Sequence, residues 1–206
     1  GVSQEFEGRE VLHQVTCSFH AGRVTAIAGA NGSGKSTLLR IAARLMLPSS
    51  GTVDTIRDGA PVGGAEYRSM LSMATPEMEL YTRLTVRENL SFLLSARGAA
   101  CGEEELKALT ARVGLSSEVL SRTAGQLSTG MRQRVRLAVL LGVDAEIWLL
   151  DEPGLALDER GRALLMNEVR RGAECGRLVL WATNDREERE AADACIDLSC
   201  DVSGCL

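Results

Sequence analysis

Arg23-Val24-Thr25-Ala26-Ile27-Ala28-Gly29-Ala30-Asn31-Gly32-Ser33-Gly34-Lys35-Ser36-Thr37-Leu38 is the stretch of this 206-residue chain on which its architecture turns. The run to Ala28 is short and apolar, as a buried strand requires. From about Lys35, the residues Leu39, Ala42, Ala43 and Met46 recur at i, i+3, i+4 and i+7, so a helix with one buried face is expected. Pro48, Ser49, Ser50 and Gly51 end it. Between strand and helix, residues 29–36 satisfy G-x-x-x-x-G-K-[ST]. Glycines in such a turn let backbone N–H groups converge on a phosphate without Cβ clashes, and the helix start adds the positive end of its dipole. Asn31, Gly32, Ser33, Gly34, Lys35, Ser36 and Thr37 are therefore the expected cradle of a nucleotide such as ATP. Lys35 is placed to bridge the β- and γ-phosphates, and the Ser36 hydroxyl to ligate Mg²⁺.

Outward from that turn, short apolar runs alternate with helical patterns, which predicts an α/β fold with a mostly parallel sheet. Residues 52–75 read as turn-rich with short strands. Thr85-x-x-Glu88 is a capping box opening a helix that carries Val86, Leu90 and Leu93. A second helix is expected near Glu103 to Val113, and a third from Thr129 with Val135, Ala138, Val139 and Gly142 on one face. Residues 84–142 thus read as a helical insertion in a core made of residues 1–83 and 143–206. The alternation resumes with a strand at Glu146 to Leu150, a helix from Asp158 to Ala173, a strand at Arg177 to Ala182 and a last helix near Arg186 to Asp193. The strand near Ile147 ends in Asp151-Glu152-Pro153. Ligands of parallel sheets lie at the C-terminal ends of the strands, so Asp151 is expected to hold Mg²⁺ through water and Glu152 to orient the attacking water.

Leu127-Ser128-Thr129-Gly130-Met131-Arg132-Gln133-Arg134 precedes that acidic strand by a single helix. It resembles the signature of the ABC ATPases, and the order of phosphate loop, signature and acidic strand is that of the same family. Nearly the whole chain shares the resemblance, and the wording TVRENL and IWLLDEP is similar to the small haem-exporter ATPases of cytochrome c maturation or related exporters. The resemblance implies a P-loop NTPase core with an antiparallel β sub-domain and an inserted helical sub-domain. It also implies a head-to-tail dimer, homo- or heterodimeric, in which Ser128 and Gly130 reach the γ-phosphate held by the partner. Leu157-Asp158 looks like the loop that crosses that interface, and Phe6 stands in the place of the aromatic that stacks on adenine. The implied activity is ATP hydrolysis coupled to transport by separate transmembrane permease subunits docked near Glu77. Soluble relatives in iron–sulfur assembly or on DNA, and slow regulatory subunits, are the competing classes.

Three positions depart from the family pattern near the γ-phosphate. Asn184 replaces a His, Glu77 replaces a Gln that contacts Mg²⁺ and water, and Met131 replaces the signature Gln. Both histidines precede the phosphate loop and cannot substitute. In an alternative alignment Glu79, rather than Glu77, stands at the Gln position. ATP binding is expected intact and hydrolysis slowed.

The net charge of −5 and the lack of a dense Lys/Arg block argue against a nucleic-acid partner. No apolar run approaches the roughly 20 residues that cross a bilayer, and Gly1 to Glu10 is polar. A cytoplasmic chain lying peripherally on the inner face of the membrane is expected. Cys17, Cys101, Cys175, Cys195, Cys200 and Cys205 include no CxxC pair, so buried reduced thiols are expected rather than a metal site.

Overall fold

In the computed structural model, which describes residues 1–199, the chain opens with an antiparallel pair, β1 (Val2–Phe6) and β2 (Arg9–Val15). Strand β3 (Val24–Ala28) leads through the Gly-rich turn into α1 (Lys35–Ala42). A hairpin of β4 (Ile56–Arg57) and β5 (Ala60–Pro61) precedes α2 (Gly64–Met70), which runs directly into β6 (Leu71–Ala74). Then follow α3 (Val86–Ser95), α4 (Glu103–Arg112), 3-10 turns at Ser117–Ser121 and Ala124–Gln126, and α5 (Thr129–Gly142). Strand β7 (Ile147–Asp151), α6 (Glu159–Glu174), β8 (Leu178–Ala182), α7 (Arg186–Glu190) and β9 (Ala194–Asp197) complete the described chain.

Among the described residues, β6-β7-β8-β3-β9 form one sheet in which every neighbouring pair is parallel. Successive side chains of a strand point to opposite faces, and the core divides accordingly. Trp148, Leu150, Val179 and Trp181 face a layer made by α3, α4, α5 and α6. Ile27, Ile147, Leu149 and Leu180 face α1, α2 and the β1–β2 pair. Strands β3 and β7 are buried along their whole length, which is why they read as continuous apolar runs. Each fully buried Leu or Ile in these layers contributes ~1.5–3 kcal/mol through burial.

Register fixes the site. Ile27 and Asp151 both lie level with Ala182, and Ala74 lies level with Leu150. Four strands therefore end at one edge of the sheet. They deliver Gly29, Glu77, Asp151-Glu152 and Thr183-Asn184 to the same rim.

Several local expectations need correction. Helix α1 stops at Ala42 instead of continuing to Met46. Arg44 adopts φ 56° and the Leu45 N–H reaches back to Arg40 O at 2.9 Å, a left-handed helix stop. The stretch 52–75 contains α2, whose Tyr67 and Met70 are buried in too short a span to show a period. The β1–β2 pair was not legible because their exposed polar residues mask the alternation, and β1 also shifts register. Helix α7 ends at Glu190, and the chain turns extended at Asp193 to become β9. Asp193 exchanges backbone and side-chain bonds with Val24, at 2.9 and 2.8 Å, which commits the following residues to β3. On α3 the deepest residue after Leu90 is Leu94, while Leu93 is half-buried. Cys175 and Cys195 are exposed instead of buried, Cys17 and Cys101 are half-buried, and Cys200 and Cys205 lie outside the described residues.

Candidate functional site

At the end of β3 the chain turns back on itself through Gly29 (φ 144°), Gly32 (φ 81°) and Gly34 (φ 97°), left-handed conformations that favour glycine. At Gly34 space demands glycine as well. A Cβ there would lie 2.7 Å from Leu12 Cδ2 and 3.0 Å from Val11 O. Gly34 is also the N-cap of α1 and has no side chain to cap it, so the first N–H groups of that helix open toward the loop.

Lys35 is 5% exposed, and a buried ammonium needs partners. Its Nζ donates to Gly29 O at 2.9 Å, Ala30 O at 3.2 Å and Asn184 Oδ1 at 2.9 Å, and lies 3.8 Å from Glu152 Oε1. Asn184 is the hub of this cluster. Its Nδ2 donates to Asn31 Oδ1 and, at 3.3 Å, to Glu152 Oε1. Glu152 itself takes φ 45°, a strained conformation for a residue with a side chain. Its N–H is fixed to Ala182 O at 2.9 Å.

Asp151 is buried, and its Oδ1 has no hydrogen-bond partner among the described residues. Burial pushes its carboxyl up. The Ser36 hydroxyl pulls it down, Glu152 and Glu77 push it up, and Arg40 pulls it down. An orphaned buried carboxylate oxygen beside a hydroxyl, with two further carboxylates nearby, is a hard oxygen donor set, and it fits Mg²⁺.

Phe6, Val11, Asn31, Gly32, Gly34, Lys35, Ser36, Thr37, Pro76, Glu77, Asp151 and Glu152 line one cleft of about 510 Å³. Phe6 is 41% exposed at its rim, a flat apolar face offered to a ring. Glu77 is exposed and ion-paired to Arg40 of α1. Of the two candidates for the place near the γ-phosphate, Glu77 lines the cleft and Glu79 does not. Ser33 is half-buried beside Gly29, its Oγ has no hydrogen-bond partner among the described residues, and it does not line the cleft.

Ser128, Gly130 and Asp158 do not line the cleft. They form a second group. Exposed Ser128 caps α5 by accepting from Met131 N at 3.2 Å, and its hydroxyl proton can still be donated outward. Gly130 backs onto Ala156 O, 2.8 Å from where a Cβ would stand. Asp158 caps α6 by accepting from Gly161 N at 2.8 Å, and that bond, with the Arg134 guanidinium beside it, holds its carboxyl below the usual range. Met131 is packed partly against the core.

Several residues at these two groups had not been singled out by sequence. Val11 lines the cleft through strand pairing, Arg40 bears on it through its ion pair to Glu77, and neither carries a motif. Gln133 left a signal, being polar and yet one helical turn before the apolar Leu137. It is buried, and its Nε2 donates to Pro153 O at 2.9 Å, tying α5 to the acidic strand's exit.

The sequence profile of the ABC transporter family matches residues 12–154. The probable multidrug ABC transporter ATP-binding protein YbhF of Escherichia coli (strain K12) is 33% identical over 194 residues, which cover 92% of this chain and 33% of YbhF. The cytochrome c biogenesis ATP-binding export protein CcmA of Rhizobium johnstonii is 37% identical over 180 residues, covering 85% of this chain and 82% of CcmA. The dimeric ATP-binding cassette MJ0796, solved in a post-hydrolysis state with ADP and Pi, superposes with a TM-score of 0.81 at 26% identity, covering 95% of this chain and 91% of that one. The chain thus spans a third of YbhF and most of CcmA.

Proposed function

The chain belongs to the ABC transporter family, and on that premise we propose that it is an ATP-hydrolysing subunit driving separate membrane-spanning partners. The observation that carries this reading is the convergence of four parallel strand ends on one cleft, where Lys35, Asp151, Glu152 and Asn184 are already linked or adjacent.

In this reading Lys35 exchanges its loop carbonyls for the β- and γ-phosphates, and the N–H groups of the loop and the start of α1, apart from Ser33 N, which Ala30 O holds, cradle the chain of phosphates. Phe6 stacks on adenine. Ser36, Asp151 and Glu77 would hold Mg²⁺, which supplies charge neutralisation between the phosphates. Glu152 accepts a hydrogen bond from the attacking water and orients it in line with the γ-phosphate. Asn184 donates its amide to the same region but, unlike His, cannot become cationic. Nucleotide hydrolysis is therefore slowed.

The second group, Ser128 and Gly130, completes the site from another copy. Its hydroxyl and helix-start N–H groups close on the γ-phosphate across a two-fold axis, and Asp158 approaches the interface. The dimeric state of MJ0796 supports this arrangement. Residues 84–142 act as a helical sub-domain set in the core of 1–83 and 143–206. Residues from Glu77 to the start of α3 form the docking face for a permease at the cytoplasmic surface of the membrane. Among the described residues, no helix is long and apolar enough to cross a membrane.

The test is phosphate release by the purified chain with MgATP. Wild type turns over, Lys35→Ala loses nucleotide binding, and Glu152→Gln binds ATP but hydrolyses it roughly 100-fold or more slowly. Wild-type chain that binds no nucleotide, or Glu152→Gln turning over like wild type, contradicts the reading.

A further inference from the structure

The loop presenting Asn184 is held by a carboxylate that this reaction scheme leaves unused. Glu188 lies on α7 and is 3% exposed. Thr183 Oγ1 donates to its Oε2. Thr183 Oγ1 in turn accepts from Asp185 N at 3.0 Å, and Thr183 N donates to Ile27 O at 3.0 Å. With its acceptor side used by Asp185, the hydroxyl has its proton directed at Glu188. The other carboxylate oxygen, Oε1, presses on the backbone of Gly154, where any Cβ would collide with it. Gly154 begins the bend in which Leu155 N donates to Glu152 O at 3.1 Å and Leu157 N to Gly154 O at 3.1 Å. Ala156, left-handed at φ 66°, turns that bend toward Asp158 and backs Gly130. The other groups around Glu188 are Trp181 of β8, Asp185, and Arg162 of α6, the last two paired at 3.8 Å.

One buried carboxylate thus touches the residue before Asn184 and the residue two after Glu152. We propose that Glu188 is a positioning residue: wedged between Thr183 and Gly154, it fixes the Asn184 amide against the Glu152 carboxylate, which lie 3.3 Å apart. The inference rests on the ATPase reading above. Its physical basis is that Asn184 sits in an exposed loop, whereas buried polar networks hold a single arrangement when fully satisfied. Displacing a catalytic group by about 1 Å costs up to ~100-fold in rate.

The experiment measures phosphate release and ATP affinity on the same preparations of purified chain with MgATP. Glu188→Ala removes the wedge, and Glu188→Gln keeps an oxygen of the same reach for Thr183. Glu188→Ala is expected to lower kcat roughly 10- to 100-fold with KM changed by less than about threefold, and Glu188→Gln to restore most of the loss. Thr183→Val removes the same bond from the other side and gives the same kcat-selective loss, which keeps the test open if Glu188→Ala folds poorly. Because Glu188 acts through Asn184, the Glu188→Ala, Asn184→Ala double variant is no slower than Asn184→Ala alone. Wild-type kcat in both Glu188→Ala and Thr183→Val, or losses that multiply in the double variant, overturns the proposal while wild-type turnover keeps the ATPase reading standing. A wild type without turnover takes both down.

Discussion

Asn184 bonds Lys35, Asn31 and Glu152 with a single amide. An amide meets these hydrogen-bonding demands but brings no positive charge to a γ-phosphate. Asn184→His restores a longer, protonatable ring and is expected to raise kcat roughly tenfold. Phosphate release at saturating MgATP measures it, and equal turnover of the two proteins would show that Asn184 imposes no handicap. Glu188 gives a second prediction of a different kind. Burial pushes its carboxyl above the ordinary range, with the Thr183 hydroxyl pulling it back. The folded chain therefore holds a proton that the unfolded chain releases, and stability is lost as pH rises from the unfolded carboxylate pKa through the folded one. Glu188→Gln has no proton to lose, so it raises Tm at about pH 7.5 and loses that advantage near pH 4, where the unfolded carboxylate is itself protonated. Thermal unfolding at the two values checks the sign; a Gln variant with an unchanged or lower Tm at the higher pH contradicts it. At this scale, what the sequence made legible was contiguous: Lys35, Ser36, Asp151 and Glu152 sit in short patterns. Thr183 and Glu188 matter through Gly154, about thirty residues away, and no local spacing announces that.

Helix α3 opens with the Thr85–Glu88 capping box, Glu88 N donating to Thr85 Oγ1 and Glu88 Oε2 accepting from Thr85 N. That box was readable because both partners lie within one turn. The fully buried Asn89 one residue later was not. Its Oδ1 accepts from Tyr81 N at 2.8 Å, and its Nδ2 donates to Tyr81 O at 3.1 Å, Leu84 O at 3.3 Å and Thr85 O at 2.9 Å. One side chain thereby closes the 81–85 turn between the cleft and α3. Asn89→Ala takes the acceptor from Tyr81 N, while the carbonyls of Tyr81, Leu84 and Thr85 keep the N–H groups of Leu84, Ala124 and residue 89, and is expected to cost about 1–2 kcal/mol. Urea unfolding measures it, and a loss below about 0.5 kcal/mol would mean the turn satisfies itself. The strongly periodic α4, α5 and α6 were legible in the same way as α3. Elements whose residues are few or mostly exposed, such as α2, β1, β2 and β9, take their shape from pairing and packing that sequence spacing does not encode.

Across the whole molecule, the parallel sheet brings distant motifs to one rim by register, while the signature turn stays outside the cleft with Ser128 exposed. The alternating pattern forecast the sheet, because fully buried strands are largely apolar. It did not forecast which residues of separate strands lie level. On the proposed reading, the two halves that stand apart in one chain complete a site when a second copy faces the first, Lys35 opposite Ser128. The direct measurement is the mass of Glu152→Gln in solution with saturating MgATP, by analytical ultracentrifugation. The expected result is a doubling of mass that requires ATP and is lost on Ser128→Arg. A monomer with ATP bound, or a dimer indifferent to Ser128→Arg, would contradict the shared site.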